Sequence, residues 1–230
     1  MRTADEMRER WLRELPLILR RPGMYATDGQ NVDVFLSMRM RDMCFLDDRD
    51  ADDTGIRTAM LSYGKLGVVG PFQAVFGERS PYTDEVASVW AEVFHRLGYL
   101  AVDRLLGPAE RAPLTGLRDW IADRDVRRGE VLDTFGPPSF EIGRNILCYA
   151  PDDGSGWTFF DCFGEPAQRY RPGKGDYTCE RDEDPLVRDA RVPAEGFEDG
   201  LILTLYGRVL RWGPGWWIDH PGDTARSPET

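Results

Sequence analysis

Histidine and cysteine are the residue types that most often carry nucleophilic or general-base catalysis, and this chain has few of them. Its two histidines are His95 and His220. His220 follows Asp219, and an Asp–His pair of this kind would activate a thiol such as Cys148 or Cys162. Both cysteines fall in predicted core strands, however, and His95 lies off the apolar stripe of its predicted helix. We therefore identify no catalytic residue and no metal or cofactor site.

Carboxylates are abundant, and paired carboxylates can perform acid–base catalysis. With 40 Asp and Glu residues among 230, the sequence does not single out one pair. An alternative prediction assigns acid–base catalysis to one pair in the predicted β-rich half, Asp161 and Glu165. In that alternative the protein is a hydrolase or transferase.

The densest acidic stretch spans residues 47–53. Its carboxylates belong to Asp47, Asp48, Asp50, Asp52 and Asp53. The spacing does not fit a calcium-binding EF-hand loop. Counted from Asp48 as the first position, Asp53 would take the place of the required glycine and Ala59 that of the final glutamate. We predict a solvated loop, with a partner-binding acidic patch or a weak divalent-cation site as alternatives.

A second acidic region, residues 176–199, precedes a tryptophan pair. It holds nine acidic residues and three arginines, and its consecutive carboxylates are Asp182, Glu183 and Asp184. The neighbours Trp216 and Trp217 would point to opposite faces of a strand. An exposed tryptophan beside clustered carboxylates is typical of a hot spot for a basic protein. We predict partner binding here first and at residues 47–53 second.

Helices in the first half of the chain must position the first acidic stretch. Thr3 and Glu6 form a capping-box pattern before an amphipathic stripe, which predicts a helix over residues 3–20, kinked or divided at Pro16. A second helix is predicted to begin at Asn31. Its inward side chains would be Val32, Phe35, Leu36, Met40 and Met43.

The strongest helix signal covers residues 80–106, where apolar residues recur at helical spacing until Gly107. A shorter helix is predicted after Thr115. We predict no strand before residue 136.

Strand signals take over after Gly136. Residues 145–150 and 157–163 are predicted to form a hairpin around a polar turn. Residues 201–212 are predicted to be the clearest strand, with 216–218 returning as its partner.

Helices followed by antiparallel strands indicate an α+β fold. The predicted divisions are a helical region (1–135), an antiparallel β-rich region (136–220) and a flexible tail (221–230). One continuous domain is the alternative.

The net charge of −11 argues against nucleic acid and against anionic membrane surfaces, which both select basic proteins. Residues 1–115 carry −3 of this charge and residues 116–230 carry −8. No apolar run approaches the length of a membrane span, and the charged start does not read as a signal peptide. We therefore expect a cytoplasmic protein, with Cys44, Cys148, Cys162 and Cys179 as free thiols.

The stretch Arg-Pro-Gly-Met-Tyr at residues 21–25 lies between the first predicted helix and a second one that bears Phe35 and Leu36. Across residues 1–45 this arrangement resembles small bacterial proteins, some of which are immunity-type proteins of polymorphic toxin systems. The resemblance implies a cytosolic, non-catalytic protein that binds and blocks a toxin. Together with the acidic balance, it predicts an acidic binding protein with a basic protein partner.

Overall fold

The computed structural model describes residues 3–78, 80–143, 145–164, 167–171, 176–180 and 182–220. For residues 167–171 and 176–180 only the backbone is described. The predicted tail, 221–230, and Glu165 of the predicted carboxylate pair therefore lie outside the described residues.

Most helices precede the sheet. Those longer than one turn before residue 100 are α1 (Ala4–Arg20), α2 (Gly29–Leu46), α3 (Asp50–Met60), α4 (Val69–Phe76) and α5 (Thr83–Arg96). The helices that follow before the first strand are α6 (Pro108–Arg111), α7 (Leu117–Ile121) and α8 (Arg128–Phe135). Short 3₁₀ turns occupy Pro22–Met24, Leu61–Tyr63 and Ala112–Gly116.

The strands form an antiparallel five-stranded sheet and a separate two-stranded ribbon. The sheet contains β1 (Phe140–Ile142), β2 (Ile146–Tyr149), β3 (Thr158–Cys162), β6 (Val187–Arg191) and β7 (Leu201–Leu203), in that spatial order. The ribbon pairs β4 (Ala167–Arg171) with β5 (Asp176–Glu180). Two further helices are α9 (Phe197–Gly200) and α10 (Leu205–Trp212), and a 3₁₀ turn follows at Trp216–Ile218. The α+β prediction is confirmed.

Both faces of the sheet are covered, which explains why its central strands do not alternate between apolar and polar residues. Along β2, Ile146 and Cys148 join a cluster with helices α1–α5, whereas Leu147 and Tyr149 join a second cluster with α7 and α8. The sheet is thus the middle layer of three. The first cluster draws residues from both sides of the predicted boundary at residue 136.

Local signals placed the start of α1 and the hairpin correctly. The Thr3 hydroxyl oxygen accepts a hydrogen bond from the backbone amide of Glu6, and the Glu6 carboxylate accepts one from the backbone amide of Thr3, as the capping box requires. Helix α1 runs through Pro16 as one element. Strands β2 and β3 pair antiparallel, as predicted.

Two helix boundaries differ from the prediction. Helix α2 begins at Gly29 and not at Asn31, because the Asp28 side chain caps it by accepting from the Asn31 amide at 2.9 Å. Helix α5 ends at Arg96 and not near residue 106, since Gly98 adopts φ +79° directly after its last turn.

The predicted strand 201–212 is wrong over most of its length. Only Leu201–Leu203 pair with β6, and the rest is helix α10. The helix begins there because Thr204 caps it, accepting from the Gly207 amide at 3.0 Å while donating to the Val187 carbonyl at 2.6 Å. Trp216–Ile218 is a 3₁₀ turn and not a partner strand.

Among the described residues, no helix is long and apolar enough to cross a membrane.

Candidate interaction surface

The predicted acidic loop at 47–53 is wrong as a loop, since its second half is helical. Asp47 caps the end of α2, Asp48 adopts φ +55°, and α3 begins at Asp50. Asp50, Asp52 and Asp53 occupy the first turn of α3, where the helix dipole favours negative charge.

Arginines neutralise most of this stretch. The three close pairs are Arg8 Nε–Asp47 Oδ1 at 2.7 Å, Arg49 Nε–Asp52 Oδ2 at 2.7 Å and Arg57 Nη1–Asp53 Oδ2 at 3.7 Å. The hydrogen bond from Arg8 lowers the pKa of the Asp47 carboxyl below its ordinary value. Asp48 and Asp50 make no ion pair with any described residue, so they carry the charge that remains available.

The outer face of α2 is unexpectedly apolar. Its core side holds Val32, Leu36, Met40 and Met43, all buried. On the opposite side Val34 is 59% exposed, Met38 57% and Phe45 74%. Spacings of four and seven residues put these three side chains on one stripe. We call them the outer stripe of α2.

An open groove of about 340 Å³ lies between this stripe and α3. It is lined by Met38, Arg41, Asp42, Phe45, Asp50 and Asp53. Two of its carboxylates already have an arginine nearby: Asp42 lies 3.9 Å from Arg39, and Asp53 pairs with Arg57. Apolar side chains with carboxylates at their edge fit a cationic segment of another protein. We call this groove and the outer stripe of α2 the α2–α3 surface.

The second predicted acidic site is mostly used by the fold itself. Asp184 accepts from the Gly129 amide at 2.7 Å and so caps α8, while its carbonyl accepts from Arg127 at 2.6 Å. Asp182 accepts from Arg127 at 3.3 Å and from the Asp184 amide at 3.0 Å. Glu183 is exposed.

The tryptophans lie on a different part of the described chain. Trp216 is buried, with Trp212 at 5.9 Å between ring centroids and Arg208 stacked at 5.0 Å. Trp217 is 47% exposed. No hydrogen bond, ion pair or ring contact between described residues joins this group to residues 182–184. Among the described residues, the two predicted halves of this site are thus not in direct contact.

The predicted thiol triad does not form among the described side chains. The His220 ring stacks on Trp212 with centroids 4.4 Å apart, and its Nδ1 lies 3.2 Å from the Trp216 carbonyl. Cys148 and Cys162 are buried free thiols, and burial raises the pKa of each far above its ordinary value. His95 is half-buried against Trp157 and not on the open surface.

Asp161, one member of the predicted carboxylate pair, belongs to a buried ionic cluster between the helical layer and the sheet. Its members are Glu85 and Ser88 on α5, Asp161 on β3, and Arg188, Asp189 and Arg191 on β6. We call this the Arg188 cluster. Arg188 contacts all three carboxylates, with 3.0 Å to Glu85, 3.1 Å to Asp189 and a short contact to Asp161. Because Asp161 is 1% exposed, it offers no surface to a substrate.

Charge in the Arg188 cluster is unbalanced, since three carboxylates face two guanidinium groups. Burial, reinforced by Asp161, raises the pKa of Glu85 to about 7 and that of Asp189 to about 6. Burial alone would lower the pKa of Arg188, but the three carboxylates raise it overall and keep the group charged. Phe76 and Phe163 cover the guanidinium at 4.1 and 4.9 Å. The cluster fastens α5 to the sheet.

Sequence reasoning missed both the outer stripe of α2 and the Arg188 cluster. Helix α2 has apolar residues on two sides, and the periodicity of the sequence does not show which side packs against the core. Among the described residues, no group of three or more His, Cys, Asp or Glu side chains is arranged to hold a metal ion.

Comparison with family models, with curated proteins and with solved structures found no match to this chain.

Proposed function

We propose that this protein is a non-catalytic binding protein that docks a basic protein partner on its α2–α3 surface. In its most specific form the partner is a toxin and this chain is an immunity-type protein that blocks it. The specific form is supported by the resemblance of residues 1–45, which include the outer stripe of α2.

The observation that carries the proposal is the exposure of Phe45, at 74%, beside Met38, at 57%. Large apolar side chains grouped on a surface mark interaction sites, and Phe and Met are enriched at interfaces. The fold itself gains nothing from holding them in water. A partner that covers them would gain the transfer free energy that folding leaves unused.

Charge determines which partner fits. Asp50 lines the groove and makes no ion pair with any described residue, and the whole chain carries −11, so a basic protein would be steered to this molecule. Because arginines already neutralise Asp47, Asp52 and Asp53, we assign the affinity mainly to the apolar contact and the steering to charge.

The test is capture of a partner by the immobilised full chain from cells that produce it, compared across matched variants. We expect a basic protein to bind the wild type and to be lost with Phe45→Asp, a change of about 30-fold or more in affinity for a hot-spot residue. Leu17→Asp is the matched control, because Leu17 is 60% exposed on α1, outside the groove. Trp217→Asp tests the second predicted site in the same experiment.

Two results would contradict the proposal. One is a captured partner that binds Phe45→Asp as well as the wild type. The other is loss of binding with Trp217→Asp alone, which would move the site to the tryptophans. For the toxin form, co-expression with the captured partner should rescue growth with the wild type and not with Phe45→Asp.

A further inference from the structure

We infer that the α2–α3 groove recognises an arginine side chain of the basic partner, in preference to lysine. The inference rests on the proposed function, since it names the chemical group that enters the proposed site. The groove volume of about 340 Å³ lies at the small end of ligand sites and suits one or two long side chains and not a folded element.

The first argument concerns the shape of the available groups. Phe45 presents an exposed aromatic ring, and a guanidinium group is planar and weakly hydrated, so it stacks on such a ring better than an ammonium group does. Met38, which lines the same groove, offers apolar contact to the methylene stem of the side chain.

The second argument concerns the carboxylates. Asp50 has no ion-pair partner among the described residues, and Asp42 has only Arg39 at 3.9 Å. Two carboxylates lining one groove suit the forked donors of a guanidinium, which bind oxygen atoms at more than one edge. Asp53 is already held by Arg57 at 3.7 Å. We therefore assign Asp50 the principal role.

Arg41 is the single basic residue in the lining. Arg39 and Arg57 beside the groove pair with two of its three carboxylates, Asp42 and Asp53, so Asp50 is the carboxylate that a further cation would meet without a competing ion pair among the described residues. An acidic ligand would meet Arg41 but also all three carboxylates, and we exclude it on that ground.

The experiment measures binding of three capped tripeptides, acetyl-Gly-X-Gly-amide, where X is arginine, lysine or citrulline. Arginine is charged and planar, lysine is charged but not planar, and citrulline is planar but uncharged. The reporter is the carbon-13 methyl signal of Met38 in the methionine-labelled full chain, assigned with Met38→Leu. Met24 is the internal control, because it is 74% exposed and does not line the groove.

We expect the arginine peptide to shift the Met38 signal saturably, with an affinity at least threefold above that of the lysine peptide. The citrulline peptide should leave Met38 unchanged, and Met24 should respond to none of the three. Asp50→Asn should weaken the arginine peptide at least threefold. Glu183→Gln, which removes an exposed carboxylate elsewhere, should not.

Equal responses to arginine and lysine, or an undiminished response in Asp50→Asn, would overturn the inference. So would a Met38 signal that changes with protein concentration alone, because that would indicate a second copy of the chain as the occupant. The proposed function fails separately. If Phe45→Asp loses the partner but the arginine and lysine peptides bind equally, the proposed function is supported and the arginine preference is not. If the groove prefers arginine but no basic protein is captured, the arginine preference is supported and the proposed function is not.

Discussion

The Arg188 cluster and the α2–α3 surface both hold more carboxylates than guanidinium groups, yet they differ in what surrounds those charges. In the cluster, the side chains of Arg188, Asp161 and Asp189 are at most 2% exposed and every charge lies among side chains of the same chain. On the α2–α3 surface Asp42 and Asp50 are exposed to water, and the apolar side chains of Met38 and Phe45 are more than half exposed.

The difference separates a structural role from the binding role that we propose. Charge that is buried must be compensated within the fold, and removing one member is costly. Apolar surface that stays exposed contributes nothing to the fold and is available to a partner. The density of carboxylates in the sequence predicts acidic sites, whereas burial and pairing decide which carboxylates are available to a partner.

The largest effect should follow from removing the central cation of the cluster. Arg188→Met leaves three buried carboxylates with one guanidinium, and we expect a loss of about 3–5 kcal/mol in the free energy of unfolding. Urea unfolding followed by circular dichroism measures it. Arg10→Met, which breaks the exposed pair with Glu14 on α1, is the matched control and should cost under about 1 kcal/mol. Similar losses in both variants would contradict the structural role of the cluster.

The pH dependence of stability should come next. Because burial raises the pKa of Glu85 to about 7, the folded state holds a proton that the unfolded state releases near its ordinary pKa. The stabilisation is complete below that ordinary value and is lost as the pH rises to about 7. We expect roughly 2 kcal/mol less stability at pH 8 than at pH 5 from this group.

Glu85→Gln isolates the contribution of Glu85, since glutamine keeps the shape and stays neutral. Burial also raises the pKa values of Asp33, Glu92 and Asp189, and these groups remain in both proteins. The variant should therefore show a shallower decline between pH 5 and pH 8. An identical decline in both proteins would show that Glu85 is ionised throughout.

A smaller effect distinguishes two neighbouring carboxylates of the second acidic site. Asp184→Ala removes the acceptor of the Gly129 amide at the start of α8, and we expect a loss of about 1 kcal/mol. Glu183→Ala should change stability by less than about 0.5 kcal/mol. Thermal unfolding of both variants checks this, and the reverse order would mean that Glu183 makes the structural contact.

The smallest effect on stability is expected where we expect the largest effect on binding. Phe45→Asp places a charge on a residue that is 74% exposed, so the free energy of unfolding should change by less than about 0.5 kcal/mol. The same urea experiment measures it. A loss above 1 kcal/mol would show that Phe45 serves the fold, and its effect on capture would then have to be read as unfolding.

Local signals predicted those elements that local contacts determine. The capping box of α1 and the turn of the β2–β3 hairpin lie within a few residues of the chain and were predicted correctly. Helix α10 was missed because its apolar residues continue the alternation of β7, and its cap, Thr204, is held by a carbonyl 17 residues earlier. Gly98 marks the end of α5 in the sequence, but the apolar residues that follow it extend the predicted helix too far.

The candidate sites were harder to predict because they depend on distant contacts. Arg188 lies in a strongly acidic segment and reads as a surface residue, yet its partner Glu85 is 103 residues away. Asp53 forms an ion pair with Arg57, whereas Asp50 lines the groove between α2 and α3 and forms none with a described residue. Spacing alone does not distinguish them.

The layered arrangement also constrains the protein while it is being synthesised. The apolar faces of α1–α5 are covered by strands that run from Phe140 to Leu201, so the ribosome must add about a hundred residues after α5 before the first cluster is complete. At a synthesis rate of about 5–20 residues per second this takes on the order of 5–20 s. During that interval the helices expose the apolar sides that the sheet will bury as well as the outer stripe of α2. The nascent chain therefore exposes apolar surface of the kind that chaperones bind until the last strand of the sheet has been made.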